Sequence, residues 1–204
     1  MIRSTAFAAG AVAALTATTV AQQNADFEDV APASSFPAGA AVVSQGVNIT
    51  ITDLVTTSFT TSGAASVFGP ASDETGAPGT PSNELQPNNV TANFAFDATY
   101  SLLSFDFAEF GGVNTFEING DKREFGNMAA FFATAPTIGG VTFSVVSAPV
   151  AGGDRGTVTG VGAFNAVSIG GQELFLDNIR AVPSPGGVAA LALGGLAAAR
   201  RRRG

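Results

Sequence analysis

The sequence predicts an all-β protein, a single antiparallel β-sandwich, on three observations. Apolar and polar residues alternate over several short runs, the period of a strand with one buried face. The glycine pairs Gly139-Gly140, Gly152-Gly153 and Gly170-Gly171 separate such runs as turns. Helical spacing of apolar residues is almost absent, and seventeen phenylalanines, with no tryptophan, are available to fill a core.

In chain order, Val47, Ile49 and Ile51 alternate with Asn48, Thr50 and Thr52 and predict the first clear strand. Gly69 to Asn89 holds four prolines and three glycines with no alternation, which predicts a long surface loop, either disordered or merely connecting, or else binding. Val90 to Phe96 and then Leu103, Phe105 and Phe107 predict two further strands, with Ser104 and Asp106 opposite the phenylalanines. Phe116-Glu117-Ile118 and Arg123-Glu124-Phe125 flank Asn119-Gly120, a pair suited to the positive φ angles of a type I′ hairpin. Asn127 to Ala135 is the one short helix candidate, and its Phe131 and Phe132 read as core residues. Val141 to Val146, Thr157 to Val161, Ala166 to Ile169 and Leu174 to Ile179 complete the strands. Eight or more short strands at this spacing suit a sandwich of the jelly-roll kind.

The two ends differ from this body. Arg3, the apolar run Ala6 to Ala17 and the small residues Thr19-Val20-Ala21 form the n-region, h-region and cleavage site of a signal peptide spanning residues 1–21, so the mature chain is expected to begin at Gln22. At the other end Val182-Pro183-Ser184-Pro185-Gly186 precedes an apolar run from Gly187 to Ala199 and the block Arg200, Arg201, Arg202 and Arg203. As a helix those thirteen apolar residues rise about 20 Å against a hydrocarbon core of about 30 Å, enough for a short anchor whose arginines snorkel to the headgroups.

These last residues resemble the PEP-CTERM sorting signal of Gram-negative bacteria: a Pro-Glu-Pro-like motif, a hydrophobic helix and an Arg-rich end. Ser184 stands where that family usually has Glu. The resemblance covers residues 182–204 and implies export through the inner membrane, an exosortase-type processing enzyme as partner, and delivery to the cell surface or extracellular matrix. It implies nothing about activity. The domain between the two labels is then 22–181.

Without the end segments, sixteen acidic residues face Lys122, Arg123, Arg155 and Arg180, a net charge of minus twelve. Such a body disfavours nucleic acid and anionic membrane as partners and favours solubility, cation binding or a basic partner. With no Cys, the core must supply stability without disulfides. The lack of His and Cys also excludes Ser-His-Asp and Cys-His catalysis and the usual zinc sites. A glycosidase needs only two carboxylates, and Asp97, Asp106, Glu109, Glu117 and Asp154 are present, but nothing in the sequence marks a desolvated pocket for them. The expectation is a protein that is not an enzyme.

Asp26-Phe27-Glu28-Asp29 near the mature start and Leu174-Phe175-Leu176-Asp177-Asn178-Ile179 near the end look like the first and last strands of secreted carbohydrate-binding and galactose-binding-like jelly rolls. That resemblance implies a structural calcium held by Glu28 and Asp177, with Asp26 and Asn178 beside them. From the residues alone, Asp177 shares a strand face with Phe175 and Ile179 unless a bulge intervenes, so a partner is required for a buried carboxylate. Calcium is one such partner. The other reading pairs Asp177 with Arg180 or with backbone N–H groups and leaves Glu28 in solvent.

The sequence therefore points to an exported surface or matrix protein with a structural or interaction role. The alternative is a non-catalytic module that binds exopolysaccharide, although stacking platforms for sugars use Trp and Tyr and this chain has only Tyr100.

Overall fold

The computed structural model describes residues 20–70, 74–75 and 82–183. All of these but Val20 belong to one compact unit, Ala21–Ser184. Most of the signal segment, the end of the sorting motif from Ser184 through Pro185 and Gly186, and Arg200 to Arg203 lie outside the described residues. Among the described residues no helix is long and apolar enough to cross a membrane.

The unit is all-β and sandwich-like, with strands β1 (Gln23–Ala25), β2 (Ser35–Pro37), β3 (Ala41–Ser44), β4 (Val47–Val55), β5 (Thr60–Thr61), β6 (Ala64–Phe68) and β7 (Glu84–Asn88) in its first half. Then come β8 (Val90–Glu109), β9 (Asn114–Ile118), β10 (Asp121–Phe125), the short helix α1 (Met128–Ala133), β11 (Thr137–Ile138), β12 (Val141–Val150), β13 (Gly153–Gly171) and β14 (Leu174–Val182). Pairing is antiparallel except for a single parallel bridge between Gly171 and Asn88.

Two long strands organise the rest. β8 and β13 run antiparallel from Asp154 opposite Glu109 to Gly171 opposite Val90, with register shifts on either side of Phe164. Each changes neighbours along its length. The first half of β8 pairs with β4 and the second half with β14. The start of β13 pairs with β12 and its end with β9, which carries β10. The buried positions of β8 change parity across the same stretch, from Phe94 and Phe96 to Leu103, Phe105 and Phe107. Both halves thereby present apolar side chains to one continuous core containing Phe94, Phe105, Phe107, Phe116, Phe132, Phe143 and Phe164. Each such fully buried ring stabilises the fold by about 2 kcal/mol relative to exposure. Gly160 lies opposite Phe143, and a Cβ there would fall 2.4 Å from the Phe143 ring, so the bare backbone is what admits it.

The hairpin expected at Asn119-Gly120 is present, with φ angles of 53° and 77°. The helix candidate forms one short helix, capped by Asn127, whose side chain accepts the Ala130 N–H at 2.5 Å. Several expectations need correction. Gly170-Gly171, expected as a turn, is the end of β13, which also takes in both Thr157 to Val161 and Ala166 to Ile169. The stretch expected to be loop as far as Asn89 ends earlier, because Glu84–Asn88 forms β7 between β6 and β14. Asp26 to Asp29 is a turn, with Phe27 buried at a φ of 59°, and the opening strand is instead Gln23–Ala25. That strand does lie beside the closing one, with Gln23 opposite Ala181 and Ala25 opposite Ile179.

Candidate functional site

Strand β8 turns Phe105 and Phe107 to the core, so Ser104 and Asp106 lie on the other, outer face of the sheet. Register extends that face sideways: Asp106 stands opposite Thr157 of β13 and Asp177 of β14, and Ser104 opposite Thr159 and Arg180. A bulge then interrupts β14, with the register shifting between Asp177 and Arg180 and Asn178 at a φ of 50°. An asparagine tolerates that left-handed conformation better than most residues. The extra residue leaves Asp177 and Arg180 on the outer face while Ile179 remains in the core. Asp177 thus parts from Ile179, which is the bulged outcome of the two that the strand pattern allowed.

Between these strands is a pocket of about 230 Å³ lined by Ser104, Asp106, Thr157, Asn178 and Arg180. The Thr157 hydroxyl donates to Asp106 Oδ1, and Asn178 Nδ2 donates to Asp106 Oδ2 at 3.1 Å. Arg180 donates to Asn178 Oδ1 at 3.2 Å and forms no ion pair with Asp177 among the described residues.

Asp177 itself is fully buried. Its Oδ1 accepts the Asn178 N–H at 2.6 Å, and its Oδ2 accepts the Ser82 hydroxyl at 2.6 Å and Asn178 Nδ2 at 3.1 Å. Burial pushes its carboxyl up to about 7; the bonds from Ser82 and the Asn178 N–H oppose this, and the nearby charges of Asp106 and Glu84 reinforce it. Glu84, also buried, accepts the N–H groups of Glu74 at 2.9 Å and Thr75 at 3.0 Å. Asp106, Asp177 and Glu84 therefore form an acidic band from β8 through β14 to β7.

The four residues expected to hold calcium are divided by this arrangement. Glu28 is exposed and accepts the Asn83 N–H at 2.7 Å, next along the chain from the Ser82 that binds Asp177. Asp26 accepts from Asn24 at 3.0 Å and from the Glu28 N–H at 3.2 Å. Only Asp177 and Asn178 stay together. Among the described residues no group of three or more carboxylates converges as a metal site would. As placed, Glu28, Asp26, Asp177 and Asn178 do not fit a calcium cage, because each carboxylate is directed to protein donors in a different place.

A second buried carboxylate belongs to the core side. Glu109, at the end of β8, accepts the N–H groups of Met128 at 2.6 Å and Ala129 at 3.3 Å on one oxygen and Asn114 Nδ2 at 2.7 Å on the other. Burial raises its carboxyl, the two backbone N–H groups lower it in part, and the charge of Asp154 adds to the rise. Asp154 is engaged by Asn127 Nδ2 at 2.9 Å, so this group ties α1 to the sheet. Tyr100 is also buried, with its hydroxyl donating to Asp97 at 2.6 Å and its ring against Phe96 and Phe164. It offers no exposed face for stacking.

No family model matches the chain, and neither a curated protein nor a solved structure does.

Proposed function

We propose that this chain is an exported surface or matrix protein with a structural or interaction role and no enzymatic one, sorted by an exosortase-type system. One observation carries the reading. The compact unit, Ala21–Ser184, has nearly the same bounds as the segment left when the N-terminal export pattern and the C-terminal sorting pattern are set aside. Strand β1 begins two residues after Ala21, and β14 stops at Val182, where the proline motif starts. Among the described residues the strands thus begin after the expected cleavage site and end at the first residue of the sorting motif, so in this reading a peptidase or sortase acts beyond the paired sheet.

The finer architecture in this reading is a jelly-roll sandwich, supported by the pairing of opening and closing strands and by the two long strands shared between its halves. The apolar segment from Gly187 to Ala199 serves as the membrane anchor during sorting, with exopolysaccharide as the matrix the protein meets outside. Cell fractionation and intact-mass analysis of the native protein test the reading. The expected species begins at Gln22, lies in the envelope or medium, and accumulates uncut when the exosortase is deleted. A soluble cytosolic species retaining both Met1 and Gly204 would overturn it.

A further inference from the structure

We infer that the pocket between Ser104, Asp106, Thr157, Asn178 and Arg180 is a binding site for a neutral, hydroxyl-rich ligand, a single pyranose unit of a saccharide. The inference rests on the export reading only for where such a ligand would be met.

The first argument is spare hydrogen-bonding capacity. Arg180 is exposed and uses one bond, to Asn178, of the five N–H donors a guanidinium carries. The Ser104 hydroxyl makes no side-chain hydrogen bond among the described residues. Asp106 accepts one bond on each oxygen, and an ionised carboxylate has about four acceptor positions. Donors and acceptors therefore converge on one cavity from three neighbouring strands.

The second argument is charge. The Asp106 carboxylate lines the pocket beside the Arg180 guanidinium, so a carboxylate or phosphate ligand meets a like charge at the same opening. A simple cation meets the Arg180 guanidinium at the same opening, and the carboxylates do not converge on a common point. A vicinal diol satisfies both signs at once. One hydroxyl donates to Asp106, and the oxygens accept from Arg180 and Ser104.

Size and lining set the expected strength. At about 230 Å³ the pocket is below the ~300–1,000 Å³ of sites for drug-sized ligands and has no aromatic wall. One sugar ring held by polar contacts alone gives weak affinity, around millimolar.

The test is a nuclear magnetic resonance titration of the full chain with methyl α-glucopyranoside, methyl β-galactopyranoside and methyl α-mannopyranoside. Glucuronate and calcium chloride are the charged arms. The expected result is saturable shifts of the Asn178 side-chain amide and the Arg180 Nε–H with at least one neutral pyranoside, and weaker responses to both charged arms. Arg180→Ala and Ser104→Ala should each keep a folded spectrum, and Arg180→Ala should weaken binding about tenfold, the equivalent of one hydrogen bond from a charged donor. Three flat titrations, unchanged affinity in Arg180→Ala, or tighter binding of glucuronate or calcium would each overturn the inference. None of these outcomes bears on the termini of the cell-derived protein, which decide the export reading separately.

Discussion

Asp177 and Glu109 are both buried carboxylates on neighbouring strands, each raised above the usual range by burial and each accepting three hydrogen bonds, yet they sit on opposite faces of the sheet and join different parts of it. Glu109 faces inward and is enclosed by donors: two N–H groups at the start of α1 and the Asn114 amide. Asp177 faces outward, between Asp106 and Glu84, one residue from a solvent-open pocket. Glu109 fastens the start of α1 and the start of β9 to the end of β8. Asp177 accepts as many bonds, from Ser82 and Asn178, but has the charges of both Asp106 and Glu84 against it, and the difference directs attention to the outer face as the place where interaction is built.

The comparison is broken most severely at the fastener. Glu109→Ala leaves the Met128, Ala129 and Asn114 donors without a buried acceptor and is expected to cost on the order of 4 kcal/mol, read from chemical denaturation. Glu109→Gln keeps an acceptor for the backbone pair and should cost roughly half as much. Equal stability of wild type and Glu109→Ala would show that α1 is held by its phenylalanines alone.

The next effect separates the two acids by pH. Asp177 holds its proton in the native state up to about 7, whereas the unfolded chain releases it near the ordinary 3.8. Between those values the native state binds more protons, so stability falls as pH rises through the window and levels off above it. Glu109 acts in the same sense, so the distinguishing variant is Asp177→Asn. That substitution should flatten the decline and raise the melting temperature at pH 8, and a steeper decline would contradict the assignment.

Smaller effects sharpen the picture of the outer face. Asn178→Ala places a Cβ residue without a local hydrogen-bonding side chain in the left-handed region and is expected to cost about 1 kcal/mol of stability. Arg180→Ala, at an exposed position with one long hydrogen bond, should change stability by less than about 0.5 kcal/mol. Its effect belongs to binding alone.

What could be read from the sequence follows from how local the signal is. Val47 to Ile51 alternates cleanly because one face of β4 is buried and the other is not, and Asn119-Gly120 specifies its own turn. Strand β8 was legible only as two runs, because its buried positions change parity between Phe96 and Leu103. Strands β1, β2, β3 and β7 are short, and their residues alternate too briefly to separate from loop. The same limit applies to the site. Asp177 is legible as a carboxylate in an apolar strand that needs a partner, but whether a bulge would set it apart from Ile179 is not. Ser104 and Thr157 carried no signal, since their meeting depends on register between strands about fifty residues apart. Of the partners the sequence allows for Asp177, the structure supplies a backbone N–H, that of Asn178, while Arg180 bonds Asn178 and lines the pocket.

The central structural claim is that the outer face is built over an acid held out of its ordinary range, and a carboxyl carbon titration of Asp177 by nuclear magnetic resonance tests it most directly. A midpoint near 7 is predicted, moving downward in Glu84→Gln as one neighbouring charge is removed. A midpoint near the ordinary 3.8, unmoved by that substitution, would contradict it.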